Sequence, residues 1–113
     1  MIKVREVRRL ALSLPEAHEA DHHGFPSFRV GTKIFATVPD DEHLHVMLGE
    51  AEIDQVMAAT PKGLEAMWWG KRRAGVRVTL AAVDRNRIAG LLCAAWRLKA
   101  PRKLVLRFDA ESP

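Results

Sequence analysis

The chain has 113 residues, of which 48% are hydrophobic and 28% are charged. A chain of this length forms one ordinary domain, and this composition excludes a disordered, collagen-like or repeat protein. Its single cysteine, Cys93, excludes an intrachain disulfide and an all-cysteine metal cluster. Four of the first nine residues are cations, unlike a signal peptide, and no apolar run approaches the roughly 18 residues of a membrane span. We therefore expect a cytoplasmic protein without a membrane partner.

Charge is distributed unevenly along the chain. Residues 1–66 contain seven Lys or Arg and eleven Asp or Glu, a net charge of −4. Residues 67–113 contain eleven Lys or Arg and three Asp or Glu, a net charge of +8. A concentrated positive charge attracts polyanions and acidic protein surfaces. The alternative is a solvated surface that keeps the protein soluble.

Hydrophobic periodicity and turn residues predict the secondary structure. In the first half of the chain, we predict a helix over residues 3–14, a short edge strand or loop over 17–23, strands over 27–30 and 33–38, and a turn at 39–42. A strand follows over 43–48, with Leu44, Val46 and Leu48 inward, and then a short helix that ends near Thr60 and Pro61. In the second half, we predict a strand around Trp68 and Trp69, a loop over 70–75, a strand over 76–80, a helix over 85–99 and an apolar tail over 104–108. Pro15 and Pro101 end the first and last helices, and Asp84 is the predicted N-cap of the last one.

One hairpin is predicted in detail. Gly31 opens a two-residue loop, which is typical of a type II′ turn, and the resulting register places Phe28 opposite Phe35. Short links of this kind make neighbouring strands antiparallel. The clean alternation in two strands indicates a sheet with helices on one face and a partly wet second face. The predicted fold class is α+β, with about five antiparallel strands.

Several motifs of the chain occur in an order that is typical of one protein family. They are Leu14-Pro15, His23-Gly24, residues 26–30, residues 33–35, residues 75–80 and residues 91–101. The stretch LALSLPEAHEADHHGFPSFRVGTKIFATV, residues 10–38, closely resembles the opening of the MmcQ/YjbR family of small bacterial proteins. The resemblance covers nearly the whole chain and implies a single domain of this type over residues 1–113.

The resemblance implies an α+β fold of about five antiparallel strands flanked by helices, similar in outline to bacterial secretion chaperones. Members of the family are usually described as DNA-binding, because two hairpins look like a pair of wings, and the family offers no established catalytic residues. Many members carry a His-Met-Asn-Lys and His-Trp signature in the middle of the chain. This chain departs from that signature and has Met-Trp-Trp-Gly-Lys at residues 67–71.

Our leading hypothesis is a non-catalytic, winged DNA-binding protein with low sequence specificity. Lys and Arg at a hairpin tip can neutralise phosphates, and neighbouring indoles can stack on unpaired bases. The candidate DNA contacts are Lys71, Arg72, Arg73, Arg77, Arg102, Lys103, Arg107 and Trp69. Arg97 and Lys99 have another explanation, since a helix C-terminus favours cations. Tryptophan is highly buried on average. The alternative to base stacking is therefore that one of the two side chains, Trp68 or Trp69, lies in the core and the other caps a sheet edge.

Two other functions stay open. One is a protein-interaction or chaperone-like module that uses an apolar face of the sheet, with a homodimer contact through residues 104–108 if that segment does not fold back. The other is a small-molecule-binding or enzymatic domain with a pocket near His23, Arg29 and Trp69. The surface of the family motif consists of His23, Arg29 and Lys33. Arg29 and Lys33 can hold an anionic partner, although ion pairs with Glu16, Glu19 or Asp21 are the simpler use. The histidines lack a zinc-binding spacing, and no nucleophile or phosphate-loop motif occurs, so we predict no metal, no cofactor and no specific reaction.

Overall fold

The structure, a computed structural model, describes residues 2–59 and 62–111. This part of the chain forms α1 (Val4–Leu12), β1 (Ala17–His22), β2 (Phe25–Val30), β3 (Lys33–Asp40), β4 (His43–Met47), α2 (Glu50–Ala59), β5 (Leu64–Trp69), β6 (Arg72–Thr79), α3 (Arg85–Lys99) and α4 (Arg102–Glu111). The α+β class is confirmed, with six strands in the described residues where the sequence predicts about five. The predicted end of α2, near Thr60 and Pro61, lies outside the described residues.

The strands form one antiparallel sheet in the order β1-β2-β3-β4-β6-β5. Helix α3 packs against β2, β3 and β4, α2 packs against β5 and β6, and α1 packs against α3 and β1. The inward side chains predicted for β4, Leu44 and Val46, are buried in this core together with Leu48. Asp84 caps α3 as predicted, because its carboxylate accepts a hydrogen bond from the backbone N–H of Arg87 at 2.8 Å. The opposite face of the sheet carries no helix among the described residues.

The sixth strand is β1, which the sequence left open as an edge strand or a loop. It pairs with β2 along its whole length, from Ala17 opposite Val30 to His22 opposite Phe25. The predicted loop over residues 70–75 is also shorter in the structure, because β6 begins at Arg72 and leaves only a two-residue turn. A bulge in β6 next to the pair of Met67 with Gly75 interrupts the side-chain alternation, which hides this part of the strand in the sequence.

The register of the β2–β3 hairpin differs from the prediction. Gly31 has the positive φ, 62°, that the first position of a type II′ turn requires. A bulge next to Phe28 then shifts the pairing, so that Phe28 lies opposite Ala36 and the predicted pair with Phe35 is wrong. Both phenyl rings are fully buried in the core. β3 also extends through Pro39, so the turn predicted at residues 39–42 begins later.

The predicted apolar tail is helix α4, and it folds back onto α3. Leu104 is buried, and the ring of Phe108 packs edge-to-face on Trp96 with 5.0 Å between ring centroids. The carboxylate of Asp109 accepts hydrogen bonds from the guanidinium of Arg97. Of the apolar side chains in the segment proposed as a homodimer contact, Leu104, Val105 and Phe108 pack against the protein's own core, whereas Leu106 is 57% exposed.

Candidate functional site

Two hairpin turns project from the same end of the sheet. Gly31 and Thr32 form the β2–β3 turn, while Gly70 and Lys71 form the β5–β6 turn. Both lie at one end because β3, β4 and β6 are successively antiparallel, so that β6 starts beside the start of β3. Three strand spacings of about 4.8 Å place the hairpins roughly 14 Å apart, and a twist of about 20–25° per strand turns them apart by roughly 60–75°.

The junction of α3 and α4 lies at this same end. α3 begins after β6 has crossed to the far end of the sheet and runs back, so it ends near the two turns. Lys99, its last residue, lines one cleft together with Thr32 and Lys33 of the first hairpin and Trp69 of the second. We call this region the wing end: the two turns with the residues that flank them, 30–33 and 69–72, and residues 99–103.

Both neighbouring tryptophans of β5 are exposed, Trp68 to 60% and Trp69 to 71%. The alternative with one indole in the core and one at the sheet edge is therefore wrong; the buried indole is that of Trp96. Side chains alternate along β5, so the two indoles point to opposite faces. Trp69 borders the helix-free face of the sheet, and Trp68 lies on the face that carries α2.

Several cations at the wing end have no acidic partner. No carboxylate oxygen of the described residues lies within 4.0 Å of these side chains: Lys33, Lys71, Arg72, Lys99, Arg102 and Lys103. Arg107 is one helical turn beyond Lys103 on α4, is exposed, and likewise has no such partner among the described residues. The opposite end of the sheet carries the acidic β3–β4 turn with Asp41 and Glu42.

Arg73 differs from its neighbours because acids of α2 hold its guanidinium. Its Nε donates a hydrogen bond to Glu50 at 2.7 Å, and its Nη2 donates one to Asp54 at 2.6 Å. Hydrogen bonding to Glu50 and then to Asp54 raises the pKa of Arg73, and the hydrogen bonds from the side chain and backbone of Arg73 hold the pKa of Glu50 below its ordinary value. Arg73 thus ties the second hairpin to α2.

Arg77 lies further along β6, in the middle of the helix-free face. Its Nη1 lies 3.4 Å from Nε2 of His45, and its Nη2 lies 4.0 Å from a carboxylate oxygen of Asp40. Burial, followed by the charge of Arg77, lowers the pKa of His45. The imidazole of His45 is accordingly neutral near pH 7 and accepts from Arg77, since a guanidinium only donates.

The three residues of the family-motif surface do not come together. His23 has a positive φ, 53°, and occupies the β1–β2 turn at the far end of the sheet. Arg29 donates hydrogen bonds to the hydroxyl of Ser27 at 3.1 Å and to the carbonyl of Asp21 at 3.3 Å. Of the three, only Lys33 belongs to the wing end.

The helix-free face contains a cleft of about 630 Å³. It is lined by His22, Phe25, Thr32, Lys33, Ile34, Thr37, His45, Met47, Met67, Trp69 and Lys99. Thr37, His45 and the two methionines were not candidate site residues in the sequence. They occupy outward positions on β3, β4 and β5, and the order of the strands in the sheet brings them together. The sequence signal for them is the alternation within each strand, which marks these side chains as outward but does not show which strands are neighbours.

Two further observations bear on the class of site. Within residues 2–59 and 62–111, no three His, Cys, Asp or Glu side chains are grouped so that they could hold a metal ion. Nor does any helix in that same part of the chain have the length and the apolar character that crossing a membrane requires.

Comparison with protein families places the chain in a family. The family model described as YjbR matches residues 12–98, which include all six strands of the sheet and all but the last residue of α3. No curated protein and no solved structure matches the chain.

Proposed function

The chain belongs to the YjbR family, and from that premise we propose that it binds DNA through phosphate contacts at the wing end, without catalysis and with low sequence specificity. The observation that carries the proposal is the coincidence, at one end of the sheet, of an exposed indole and cations that have no acidic partner within the part of the chain that the structure describes. The contacts that we propose are Lys71, Arg72, Arg102, Lys103, Arg107 and Trp69. Arg73 has its charge met by α2, so its proposed role is to support the hairpin.

The placement of Arg102 and Lys103 favours an anionic partner. Both lie in the first turn of α4, which contains no acidic residue. The positive end of the helix dipole disfavours cations at this position, so helix stability does not explain them. An anion such as a phosphate would be attracted both by these side chains and by the helix terminus.

The two ends of the sheet also differ in charge. The wing end is basic, whereas the β3–β4 turn at the opposite end carries Asp41 and Glu42. A polyanion therefore approaches the wing end in preference to the opposite end. Two hairpins about 14 Å apart are separated by a distance comparable with the roughly 12 Å width of the major groove, so each can reach phosphates on one side of it.

The test is a salt titration of binding to a duplex of about 20 base pairs, followed by fluorescence anisotropy of a labelled strand. We expect the logarithm of affinity to fall linearly with the logarithm of salt, with a slope of about −0.9 per phosphate contact. The double variant Lys71→Ala/Arg72→Ala is expected to bind more weakly and to reduce the slope by up to about 2.

A matched control variant removes the same charge at the other end of the molecule. Lys3 and Arg5 are exposed and border a hollow with the acidic β3–β4 turn. Lys3→Ala/Arg5→Ala is therefore expected to change affinity little. The proposal is wrong if no binding is detected at about 50 mM salt with tens of micromolar protein, since non-specific Kd values reach roughly 10⁻⁴ to 10⁻⁶ M even at physiological salt. It is equally wrong if both double variants lose affinity to the same extent.

A further inference from the structure

The cleft on the helix-free face has the dimensions and lining of a small-molecule site. Its volume, about 630 Å³, lies within the range of about 300–1,000 Å³ that is usual for ligand pockets. Its walls include the thioethers of Met47 and Met67 and the side chain of Ile34, and Trp69 closes it toward the wing end. Such a surface suits an apolar ring, because methionine adapts its shape to a partner and indole offers a flat face.

The register of the strands leaves space for that ring. Met47 and Met67 both pair with Gly75, which places them on either side of β6. Gly75 contributes no side chain between them. The two methionines and Trp69 therefore border an open strip of the sheet surface that a flat group can cover.

The polar groups of the cleft are few and defined. Thr37 and His45 are direct neighbours on β3 and β4. Nε2 of His45 accepts from Arg77, which leaves Nδ1–H as the donor of the neutral ring. A hydroxyl and an imidazole N–H can thus orient the polar edge of a ligand without adding a charge to the cleft floor.

The charged residues that line the cleft, within the described part of the chain, are both positive. Lys33 and Lys99 approach it at the wing end, and none of the lining residues is acidic. Neither ammonium group has a carboxylate within 4.0 Å among the described residues. An anionic ligand group therefore meets complementary charge at one end of the cleft and apolar surface over the rest.

We propose that the cleft binds a planar aromatic anion, with its ring against Trp69 and the methionines and its anionic group at Lys33 and Lys99. Two sources share this chemistry: a free aromatic carboxylate or phosphate, and an unpaired nucleotide of a nucleic acid. The site shares Trp69 with the proposed DNA contacts but does not rest on them, since Lys71 and Arg72 are not among the residues that line the cleft.

The test is isothermal titration calorimetry with 2-naphthoate and, as an uncharged counterpart of the same shape, 2-naphthamide. We expect 2-naphthoate to bind more tightly than the amide. Trp69→Ala is expected to weaken binding about tenfold, the loss typical of one stacking contact. Lys33→Ala/Lys99→Ala is expected to remove the preference for the anion, so that both compounds then bind alike.

Trp68→Ala is the matched control, because it removes an equally exposed indole from the neighbouring position on the other face of β5. It is expected to leave the affinity for 2-naphthoate unchanged, and so is Lys71→Ala/Arg72→Ala even if that variant loses duplex binding. Thermal melting of each variant confirms that the fold is kept. The proposal is overturned if the amide binds as tightly as the anion, or if Trp68→Ala and Trp69→Ala weaken binding equally.

Competition against bound 2-naphthoate distinguishes the two sources. Displacement by thymidine 5′-monophosphate or by a short single-stranded oligothymidylate identifies a nucleotide as the ligand type, and the stronger competitor shows whether it is free or part of a strand. Failure of both competitors while 2-naphthoate binds assigns the site to free aromatic acids. Absence of binding by 2-naphthoate, the nucleotide and the oligomer at millimolar concentration refutes the inference.

Discussion

The three tryptophans permit a sharp test of the fold, because one substitution, Trp→Phe, can be made in opposite environments. Trp96 lies on α3 and is fully buried. Its indole N–H donates a hydrogen bond to the carbonyl of Pro15 at 3.0 Å. Its ring also packs edge-to-face against Phe108. The side chain thereby connects α3 both to the end of α1 and to α4.

The cost of Trp96→Phe follows from these contacts. Phenylalanine cannot donate the hydrogen bond, and leaving the carbonyl of Pro15 without its donor costs about 1–3 kcal/mol. The smaller ring leaves an unfilled volume that costs about 1 kcal/mol more. The free energy of unfolding should therefore fall by about 2–4 kcal/mol. For a domain of 113 residues, 1 kcal/mol corresponds to about 4 °C, so Tm should fall by roughly 8–16 °C.

The control is Trp69→Phe, in which the same atoms are removed from an exposed side chain. Its effect on the free energy of unfolding should stay within about 0.5 kcal/mol, or about 2 °C in Tm. Differential scanning calorimetry of the two variants beside the unmodified protein measures both values. A fall of less than about 3 °C for Trp96→Phe, or equal falls for the two variants, refutes the reasoning.

Two further predictions concern a glycine and a histidine of the sheet. Gly75→Ala should reduce the free energy of unfolding by more than about 3 kcal/mol, because a Cβ there would lie 2.0 Å from the carbonyl oxygen of Val46. The control is Gly90→Ala, in open space on α3, which should raise the free energy of unfolding by about 0.5–1 kcal/mol. Urea unfolding of the two variants checks both signs. Because burial and then Arg77 lower the pKa of His45, the unfolded chain takes up this proton more readily, and stability should fall as pH drops below about 6.5. His45→Gln should flatten that dependence between pH 7 and pH 5; an unchanged pH profile in urea titrations contradicts the assignment.

The sequence predicts best those strands that bury one face completely. β4 was predicted almost to the residue, because Leu44 and Val46 alternate with the two histidines. β1 was left ambiguous because an edge strand with polar residues on both faces has no alternation to detect. The bulges next to Phe28 and Gly75 changed the Phe28 register and hid the start of β6, since each interrupts the two-residue period.

The candidate site could be predicted only where it is local. The basic hairpin tip is visible in the sequence because its cations are adjacent. The engagement of Arg73 by Glu50 and Asp54 is not, because it depends on α2 packing beside β6. The exposure of Trp68 and Trp69 stayed open in the sequence, because the average burial of tryptophan favours an indole in the core over the exposed indole that base stacking needs.

The uneven distribution of charge along the chain determines which part of the folded surface stays positively charged. Acids of the first half meet cations of the second on the helix side, where Glu50 and Asp54 hold Arg73 and Glu6 lies 3.8 Å from Arg85. Exposed pairs of this kind are each worth only about 0–1 kcal/mol, so their larger effect is on the shape of the field. They neutralise the positive charge beside the helices and leave it uncompensated at the wing end, which is where we propose that a polyanion or an aromatic anion binds.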